Sequence, residues 1–381
     1  MYIETIELKD FRNYEYLKTS FDKHINLIYG DNAQGKTNIL EAIYMASTAR
    51  SHRSTKDEEL IRIENFDEIG NMESMSDPSL TDAHIKLIVQ KEFTSDRIDI
   101  HIKKNKQKGI AINGVSLRRS SELFGHLQVV FFYPEDLDII RRGPNVRRHF
   151  LDIDISRVDK VYLSGLIDYN KLLESRNKLL KNIVFRNRDG DRQTLEIIDA
   201  QLVRCGKNVI LGRRNYLEKI NVLTEKIHRD LSGSNEKLKI VYQPSTDIDL
   251  FEADLEKSKE KDLKTGMTGV GPHRDDFTFF INGKDVKKFG SQGQKRTAAL
   301  SLKLSQIDIA KNETGEMPVL LLDDVLSELD SSRQEYLLKC IGNMQTIITC
   351  TGQDEWIKSR MSVDKVFRVK KGKVIEDSQE V

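Results

Sequence analysis

An eight-residue glycine-rich segment near the start of the chain constrains the fold more than any other feature. Residues 30–37 read GDNAQGKT, after an apolar run of strand length at 25–29 and before apolar residues at helical spacing in 38–44. In this context a G-x-x-x-x-G-K-[ST] segment holds phosphate oxygens through backbone N–H groups and the positive end of the helix dipole. The alternative is a chance glycine turn before a helix.

Every residue of this phosphate loop is predicted to contact a nucleotide. Lys36 is expected to reach the β- and γ-phosphates, and the Thr37 hydroxyl is expected to bind Mg²⁺. The predicted nucleotide-binding residues are Gly30, Asp31, Asn32, Ala33, Gln34, Gly35, Lys36 and Thr37.

A second segment, far along the chain, complements the first. Residues 318–322 form an apolar run of the buried-strand type, and Asp323 and Asp324 follow directly. A phosphate-loop protein keeps the acid that holds its Mg²⁺ at such a position, which makes Asp323 a predicted metal ligand beside Thr37. Both segments are expected in one sheet, so the intervening chain is a large insertion.

Composition limits the class of protein. The chain has 381 residues, of which 38% are hydrophobic and 32% charged, and it is long enough for two or three domains. No apolar run reaches the length of a membrane span and no signal peptide is recognisable, so a cytoplasmic protein without a membrane partner is expected. Cys205, Cys340 and Cys350 lack metal-ligand spacing and are interpreted as reduced core thiols.

The distribution of charge is uneven although the net charge is only +1. Residues 171–219 hold 12 Lys and Arg against 6 Asp and Glu, on a chain whose other residues sum to −5. Such an excess suits a face that binds a polyanion. A solvated helical surface explains the same count equally well.

Hydrophobic periodicity predicts a β-rich part and a helical part. Alternation in 1–8 predicts an edge strand, and residues 83–133 predict several short strands. Residues 161–231 have helical periodicity, broken by a charged turn at 186–192, which predicts an antiparallel pair of roughly thirty residues per arm.

Three further segments have weaker signals. Residues 277–283 predict a hairpin, while 71–81 and 252–265 are interpreted as loose loops. Ser291, Gly293 and Gln294 open an apolar helix, where the helix dipole favours an anion. A serine-capped amphipathic helix without a ligand is the alternative.

Two groups of charged or aromatic residues are candidates for ligand contact. Arg12 and Tyr14 are placed to flank a nucleotide at the phosphate loop, or else are a surface arginine and a packed aromatic. A second group consists of arginines around a Gly-Pro turn and at the break between the two helical arms. These arginines are interpreted equally well as phosphate contacts or as solvated surface residues. The candidate DNA contacts are Arg141, Arg142, Arg147, Arg148, Arg186 and Arg188.

The combination of these segments resembles the ABC-type ATPases. Within that superfamily it resembles RecF, the family of bacterial recombination mediators related to the heads of SMC proteins, nearly end to end. The segments that carry the resemblance are FRNY at 11–14, GDNAQGKT at 30–37, FYPED at 132–136, RR at 147–148, RN at 176–177, LLK at 179–181, GPHRDD at 271–276, SQGQ at 291–294 and LDDVLSELD at 322–330.

The resemblance implies an α/β fold, a P-loop ABC-type ATPase head with a β-rich layer and an inserted helical second lobe with short antiparallel arms. It implies lobe I at 1–140 plus 316–381, with lobe II at 141–315. It also implies that Ser291, Gly293 and Gln294 of one chain close over the ATP of a second chain.

The functional implications are an ATP-driven, Mg²⁺-dependent homodimer that binds DNA near single-strand to double-strand junctions. Such a protein works with RecR and RecO to load RecA. Lys36, Asp323 and Asp324 are the implied catalytic residues. Slow hydrolysis is expected because Asp324 stands where many relatives have Glu, and residues 346–351 offer no switch histidine. A non-hydrolysing ATP-gated scaffold and, more remotely, the ATP-binding subunit of a transporter are the alternatives.

Overall fold

The computed structural model describes residues 1–63, 81–186, 189–233, 235–342, 344–352 and 362–376, without the side chains of 184–186, 189–191 and 328. The predicted loop at 71–81 lies, except for Thr81, outside these residues. The chain divides into two compact units. The first unit is Met1–Pro134 with Ala310–Val381, and the second unit is Glu135–Ile309.

Strands predominate towards both ends of the chain, and helices predominate in the middle. The strands are β1 Tyr2–Phe11, β2 Tyr14–Ser20, β3 Ile25–Tyr29, β4 Asp82–Gln90, β5 Ser95–Lys103, β6 Gly109–Ile112, β7 Val115–Ser116, β8 Val129–Phe132, β9 Leu238–Gln243, β10 Asp276–Ile281, β11 Lys284–Asp285, β12 Val319–Asp323, β13 Thr346–Cys350, β14 Lys365–Lys370 and β15 Lys373–Glu376. The helices are α1 Lys36–Thr48, α2 Asp138–Arg141, α3 Pro144–Val158, α4 Lys160–Arg186, α5 Asp189–Leu231, α6 Phe251–Thr265, α7 Val286–Phe289, α8 Gln292–Thr314 and α9 Ser331–Ile341.

The phosphate-loop strand and the acidic strand share one sheet, as expected. Its order is β15-β14-β3-β13-β12-β8, and all neighbours are parallel except the β14–β15 hairpin. The strands β12 and β13 are buried throughout, as is usual for a parallel sheet. The carboxyl ends of β3, β12 and β13 therefore meet at one edge, where ligands of open α/β sheets bind.

A second, antiparallel sheet of the first unit has the order β2-β1-β4-β5-β6-β7. The prediction that residues 1–8 form an edge strand is wrong, because β1 is paired on both sides: Glu7 lies opposite Lys18 on β2 and opposite Lys86 on β4. Alternation reports one buried face and one exposed face, and it carries no information about the number of neighbouring strands. The buried face packs with α1 and the parallel sheet into one core.

The second unit contains the helical arms. The helices α4 and α5 have 27 and 43 residues, so the second arm is longer than predicted. The hairpin prediction is confirmed by β10 and β11, joined through Asn282 and Gly283, which both have positive φ.

The prediction of a loose loop at 252–265 is wrong, because this stretch is α6. Its charged residues are mostly Glu and Lys, which are good helix formers. Phe251 and Leu255, one turn apart, are buried in the core of the second unit, and Gly266 ends the helix with a φ of 67°. A high content of charge therefore marked the solvated face of a helix.

Two arginines counted in the basic excess of 171–219 are buried. Arg176 ion-pairs with Asp199 and Asp262, and Arg213 ion-pairs with Asp152 and Asp275. Their charges are neutralised inside the second unit, which makes the basic surface of the arms smaller than the sequence count indicates.

Candidate nucleotide-binding site

The phosphate loop needs glycine at its two ends because other chain segments approach it closely. Gly30 has a φ of 154°, and a Cβ there would lie 2.3 Å from the Val369 carbonyl oxygen on β14. Gly35, the N-cap of α1, has a φ of 115°, and a Cβ there would lie 2.5 Å from Asn13 Nδ2. Side chains at either position would displace the loop.

Lys36 is held across the loop that it follows. Its Nζ donates hydrogen bonds to the carbonyl oxygens of Gly30 at 2.6 Å and Asp31 at 2.9 Å, and the residue is only 5% exposed. The ammonium group is thus positioned directly beside the N–H groups that begin α1. A cation and a helix N-terminus at one point form a strong anion site.

Thr37 and Asp323, the two predicted metal ligands, meet at the carboxyl edge of the parallel sheet. Thr37 Oγ1 donates to Asp323 Oδ1 at 3.0 Å, and Thr349 Oγ1 of β13 donates to the same oxygen at 2.7 Å. Burial raises the pKa of Asp323, the two threonine hydrogen bonds lower it, and the net direction is upward. A hydroxyl and one carboxylate are the hard oxygen donors that Mg²⁺ uses together with substrate phosphates, so the residues fit this ion.

Asp324 follows the metal-ligand position in a strained conformation. Its φ is +55°, in the left-handed region that residues other than glycine rarely occupy. The backbone N–H donates to the Thr349 carbonyl at 3.3 Å, which helps to hold it there. Backbone conformations of this kind are concentrated at functional sites.

Arg12 and Tyr14 reach the phosphate loop in two different ways. The Tyr14 ring is completely buried and its hydroxyl donates to the Gly35 carbonyl at 3.0 Å, so it supports the loop from within the core. This burial favours the alternative of a packed aromatic over a ring that flanks a nucleotide. Arg12, with a φ of 56°, makes two hydrogen bonds to the Glu41 carboxylate, at 2.9 and 2.7 Å.

Glu41 and Arg53 are part of this site, and the sequence analysis missed them. Arg53 donates from Nη2 to Glu41 Oε2 at 2.7 Å and to Asn38 Oδ1 at 2.6 Å. Burial raises the pKa of Glu41, but hydrogen bonds from Arg12, Ser51 and Arg53 outweigh it and lower the pKa to about 2. A glutamate within the apolar run of α1 was the available sequence signal, because a buried carboxylate requires cationic partners.

A cavity of about 590 Å³ opens beside the first turn of α1. Its lining has three arginines, each ion-paired with a carboxylate, and one glutamate, while two isoleucines supply apolar surface. The lining residues are Arg12, Asn13, Asn38, Arg53, Ser54, Glu59, Ile61, Arg62 and Ile63.

The C-terminal hairpin fixes the outer side of the phosphate loop through Gln34. The Lys371 N–H donates to Gln34 Oε1 at 2.6 Å, and Asn13 Nδ2 donates to the Gln34 carbonyl at 2.8 Å. A Cβ on Gly372 would lie 2.5 Å from the Asn13 carbonyl oxygen. The loop is therefore held between the β1–β2 turn and the β14–β15 turn.

The helix start at 291–294 lies in the second unit and is a complete capping box. Ser291 Oγ accepts from the Gln294 N–H at 3.2 Å, and Gln294 Oε1 accepts from the Ser291 N–H at 2.8 Å. Ser291 is exposed, while Gly293 and Gln294 are half-buried. The other N–H groups of this first turn lack intrahelical partners, as at any helix start.

The candidate DNA contacts divide by burial. Arg141 and Arg142 are exposed. Arg147 is 6% exposed, bonds both carboxylate oxygens of Asp276 and donates to two backbone carbonyls, which gives it a structural position instead of a surface for DNA. Arg148 is half-buried and donates to the Asp275 carbonyl. Arg188 and the Arg186 side chain lie outside the described residues.

A family model described as the RecF/RecN/SMC N terminal domain matches residues 2–375. The chain is 52% identical over 378 residues to the DNA replication and repair protein RecF of Lachnospira eligens, covering 99% of this chain and 100% of that protein. The chain belongs to the RecF family. It is also 51% identical over 374 residues to the RecF of Agathobacter rectalis, covering 98% and 99%.

Solved structures agree with this RecF assignment. A structure of the recombination mediator protein RecF with ATP, in the RecFOR pathway, has a TM-score of 0.89 and 40% identity, covering 99% of this chain and 98% of that one. An Smc head domain from Pyrococcus furiosus has a TM-score of 0.55 at 17% identity, covering 100% and 97%, and shows a shared fold alone. The chain is thus an ABC-type ATPase head with the RecF architecture.

Proposed function

We propose that this chain is an ATP-dependent DNA-binding recombination mediator of DNA repair and replication-fork maintenance. The proposal rests on the hydrogen bond from Thr37 Oγ1 to Asp323 Oδ1, at 3.0 Å. This contact lies beside the N-terminus of α1, where Lys36 adds a positive charge. Two segments far apart in sequence form one anion and metal site. The names of the RecF relatives support the assignment to DNA repair.

In this proposal the phosphate loop, residues 30–37, binds the phosphates of ATP. Lys36 changes its hydrogen-bond partners from loop carbonyls to phosphate oxygens. The cavity beside α1 receives another part of the nucleotide, with Arg12 and Arg53 as cationic contacts held in place by Glu41. Mg²⁺, held by Thr37 and Asp323 together with the phosphates, supplies charge neutralisation for phosphoryl transfer.

Hydrolysis is proposed to be slow and to reset the protein. Asp324 orients the attacking water, and its carboxylate, one methylene shorter than that of Glu, is expected to do this poorly. Asp324→Asn should retain ATP and lose turnover, because only the water-orienting charge is removed. Turnover by this variant at the parent rate would show that Asp324 does not orient the water, whereas absence of turnover in the parent, measured with DNA, would favour the alternative of a non-hydrolysing scaffold.

ATP is proposed to drive formation of a homodimer in which Ser291, Gly293 and Gln294 of one chain meet the γ-phosphate of the other. The dimer binds DNA near junctions between single and double strands through exposed arginines such as Arg141 and Arg142. RecR and RecO are the proposed partners, with RecA loading as the outcome.

Two lobes are proposed for this chain. Lobe I consists of residues 1–140 and 316–381, and lobe II consists of residues 141–315. Among the described helices none could span a membrane.

Sedimentation velocity with a slowly hydrolysed ATP analogue, with and without gapped duplex, tests these proposals together. The parent should sediment as a dimer only with nucleotide, and the dimer should bind the duplex. Ser291→Arg should bind ATP as a monomer and fail to dimerise, because a bulky cation replaces the serine at the docking point. Loss of monomer ATP binding in this variant would contradict the composite site.

A further inference from the structure

A chain of hydrogen bonds within the second unit joins the end of α5 to the start of α8. Gln294 Nε2 donates to Glu236 Oε1 at 2.7 Å. The other oxygen of that carboxylate, Oε2, lies 3.0 Å from His228 Nε2. His228 is in the last turn of α5, and Glu236 is in the connection that leads into β9.

His228 is completely buried and lies between Ser301 and Glu236. The Ser301 O–H donates to the Thr297 carbonyl at 2.7 Å, and its oxygen lies 3.3 Å from His228 Nδ1. A carboxylate only accepts hydrogen bonds, so the contact of His228 Nε2 with Glu236 requires a hydrogen on Nε2. The histidine therefore donates to Glu236 and holds that carboxylate in place.

Glu236 determines the orientation of the Gln294 amide. A carboxylate only accepts hydrogen bonds, so it must face the NH₂ group and not the carbonyl oxygen of the amide. The carbonyl oxygen, Oε1, is then turned towards the Ser291 N–H, from which it accepts at 2.8 Å. The capping box of the 291–294 helix start thus depends on Glu236, and Glu236 is held by the hydrogen bond with His228.

We propose that His228 and Glu236 are positioning residues that couple the long arm helix α5 to the surface that docks a second copy of this chain. The inference rests on the proposed function, in which Ser291 meets the nucleotide of that second copy. Displacing the end of α5 by the length of a hydrogen bond removes the partner of Glu236 and releases the amide of Gln294. DNA that engages the arms thereby acts on the docking surface within a single unit.

Glu236→Gln tests the coupling, because it keeps the size of the side chain and removes its charge. Hydrogen bonds to charged groups are strong enough that ATP-driven dimerisation should weaken about tenfold, with unchanged ATP affinity of the monomer. The matched control is Glu225→Gln, on α5, which removes only the ion pairs with Arg229 and Lys237 and should dimerise like the parent. Thermal unfolding of both variants verifies that the fold is intact.

A double-mutant cycle separates positioning from a general loss of structure. Gln294→Ala removes the amide that Glu236 orients, so adding Glu236→Gln should weaken dimerisation by less than a further twofold. Two effects that multiply would overturn the inference, because independent sites are additive in free energy. Parent-like dimerisation of Glu236→Gln would also overturn it. A parent chain that fails to dimerise with ATP would instead overturn the proposed function.

Discussion

Arginine–carboxylate networks occur in both units, and they differ in the exposure of the arginines. In the first unit only the carboxylate is buried: the Glu41 side chain is 0% exposed, whereas those of Arg12 and Arg53 are 21% and 37% exposed. In the second unit the arginines are buried as well, with side-chain exposures of 0% for Arg176 and 2% for Arg213, and one carboxylate partner of each is 1% exposed.

This difference separates arginines that can bind a ligand from arginines that hold the fold. Arg53, which is 37% exposed and bonds Glu41 and Asn38 through Nη2, lines the cavity, where a guanidinium group can also bind a phosphate. A guanidinium enclosed by carboxylates and carbonyl groups has no surface left for a ligand. Removing it leaves uncompensated charge in the interior, so it is important for stability alone.

The largest expected effect is the loss of ATP binding in Lys36→Met, with the fold retained. The substitution removes the charge and the hydrogen bonds that the β- and γ-phosphates require. Isothermal titration calorimetry should detect no binding at ATP concentrations that saturate the parent. Lys9→Met, which changes an exposed lysine of β1, should bind as the parent does. Residual binding within tenfold of the parent would remove Lys36 from the site.

Arg213→Met should act on stability instead. The change leaves Asp275 and Asp152 without their main cation, and breaking such a buried pair costs about 4 kcal/mol. Urea unfolding measures the loss, and ATP affinity should stay unchanged below the unfolding transition. Arg204→Met, at an exposed position of the same helix, is the control. A stable variant with weakened DNA binding would place Arg213 among the DNA contacts and break the comparison.

The Glu41 network should make the free energy of unfolding of the first unit depend on pH in the acidic range. Because the folded-state pKa of about 2 lies below the usual 4.5, ionised Glu41 stabilises the fold above pH 4.5. This contribution is lost as the pH falls from 4.5 towards 2 and amounts to about 3 kcal/mol in full. Urea unfolding at stepped pH should show it, and Glu41→Gln should flatten the dependence in that window. An equal slope in parent and variant would refute this origin.

The smallest effect is expected from the exposed arginines of the second unit. Arg141→Gln with Arg142→Gln should weaken DNA binding about tenfold and lower the log–log salt slope by about two, one for each phosphate contact. Fluorescence anisotropy on a gapped duplex across a salt series measures both quantities. Arg118→Gln with Arg119→Gln, at exposed positions of the first unit, is the matched control. If the Arg141 and Arg142 double variant keeps the salt slope of the parent, these two arginines do not contact DNA.

The sequence predicted the parts of the site that follow local rules. The phosphate loop is one, since glycines, a lysine and a threonine at fixed spacing define it between a strand and a helix. The parallel sheet also followed from the apolar run before Asp323. The sequence could not predict which arginines are buried. Arg147 is buried and Arg142 is exposed, although both belong to the same charged cluster. The partners of Glu41 were missed for a related reason, because Arg12 lies 29 residues from it in sequence.

The position of β3 in the parallel sheet has a consequence for synthesis of the chain on the ribosome. Its two neighbours are β13 and β14, which end at Cys350 and Lys370, and the hairpin that holds Gln34 ends at Glu376. The phosphate loop therefore leaves the ribosome long before β13 and β14, and no strand can pair with β3 until β13 has been made. The second unit is continuous in sequence and can fold during this delay. The site around the phosphate loop is thus completed only after residues 346–376 have been synthesised, and the unpaired β3 needs protection from aggregation until then.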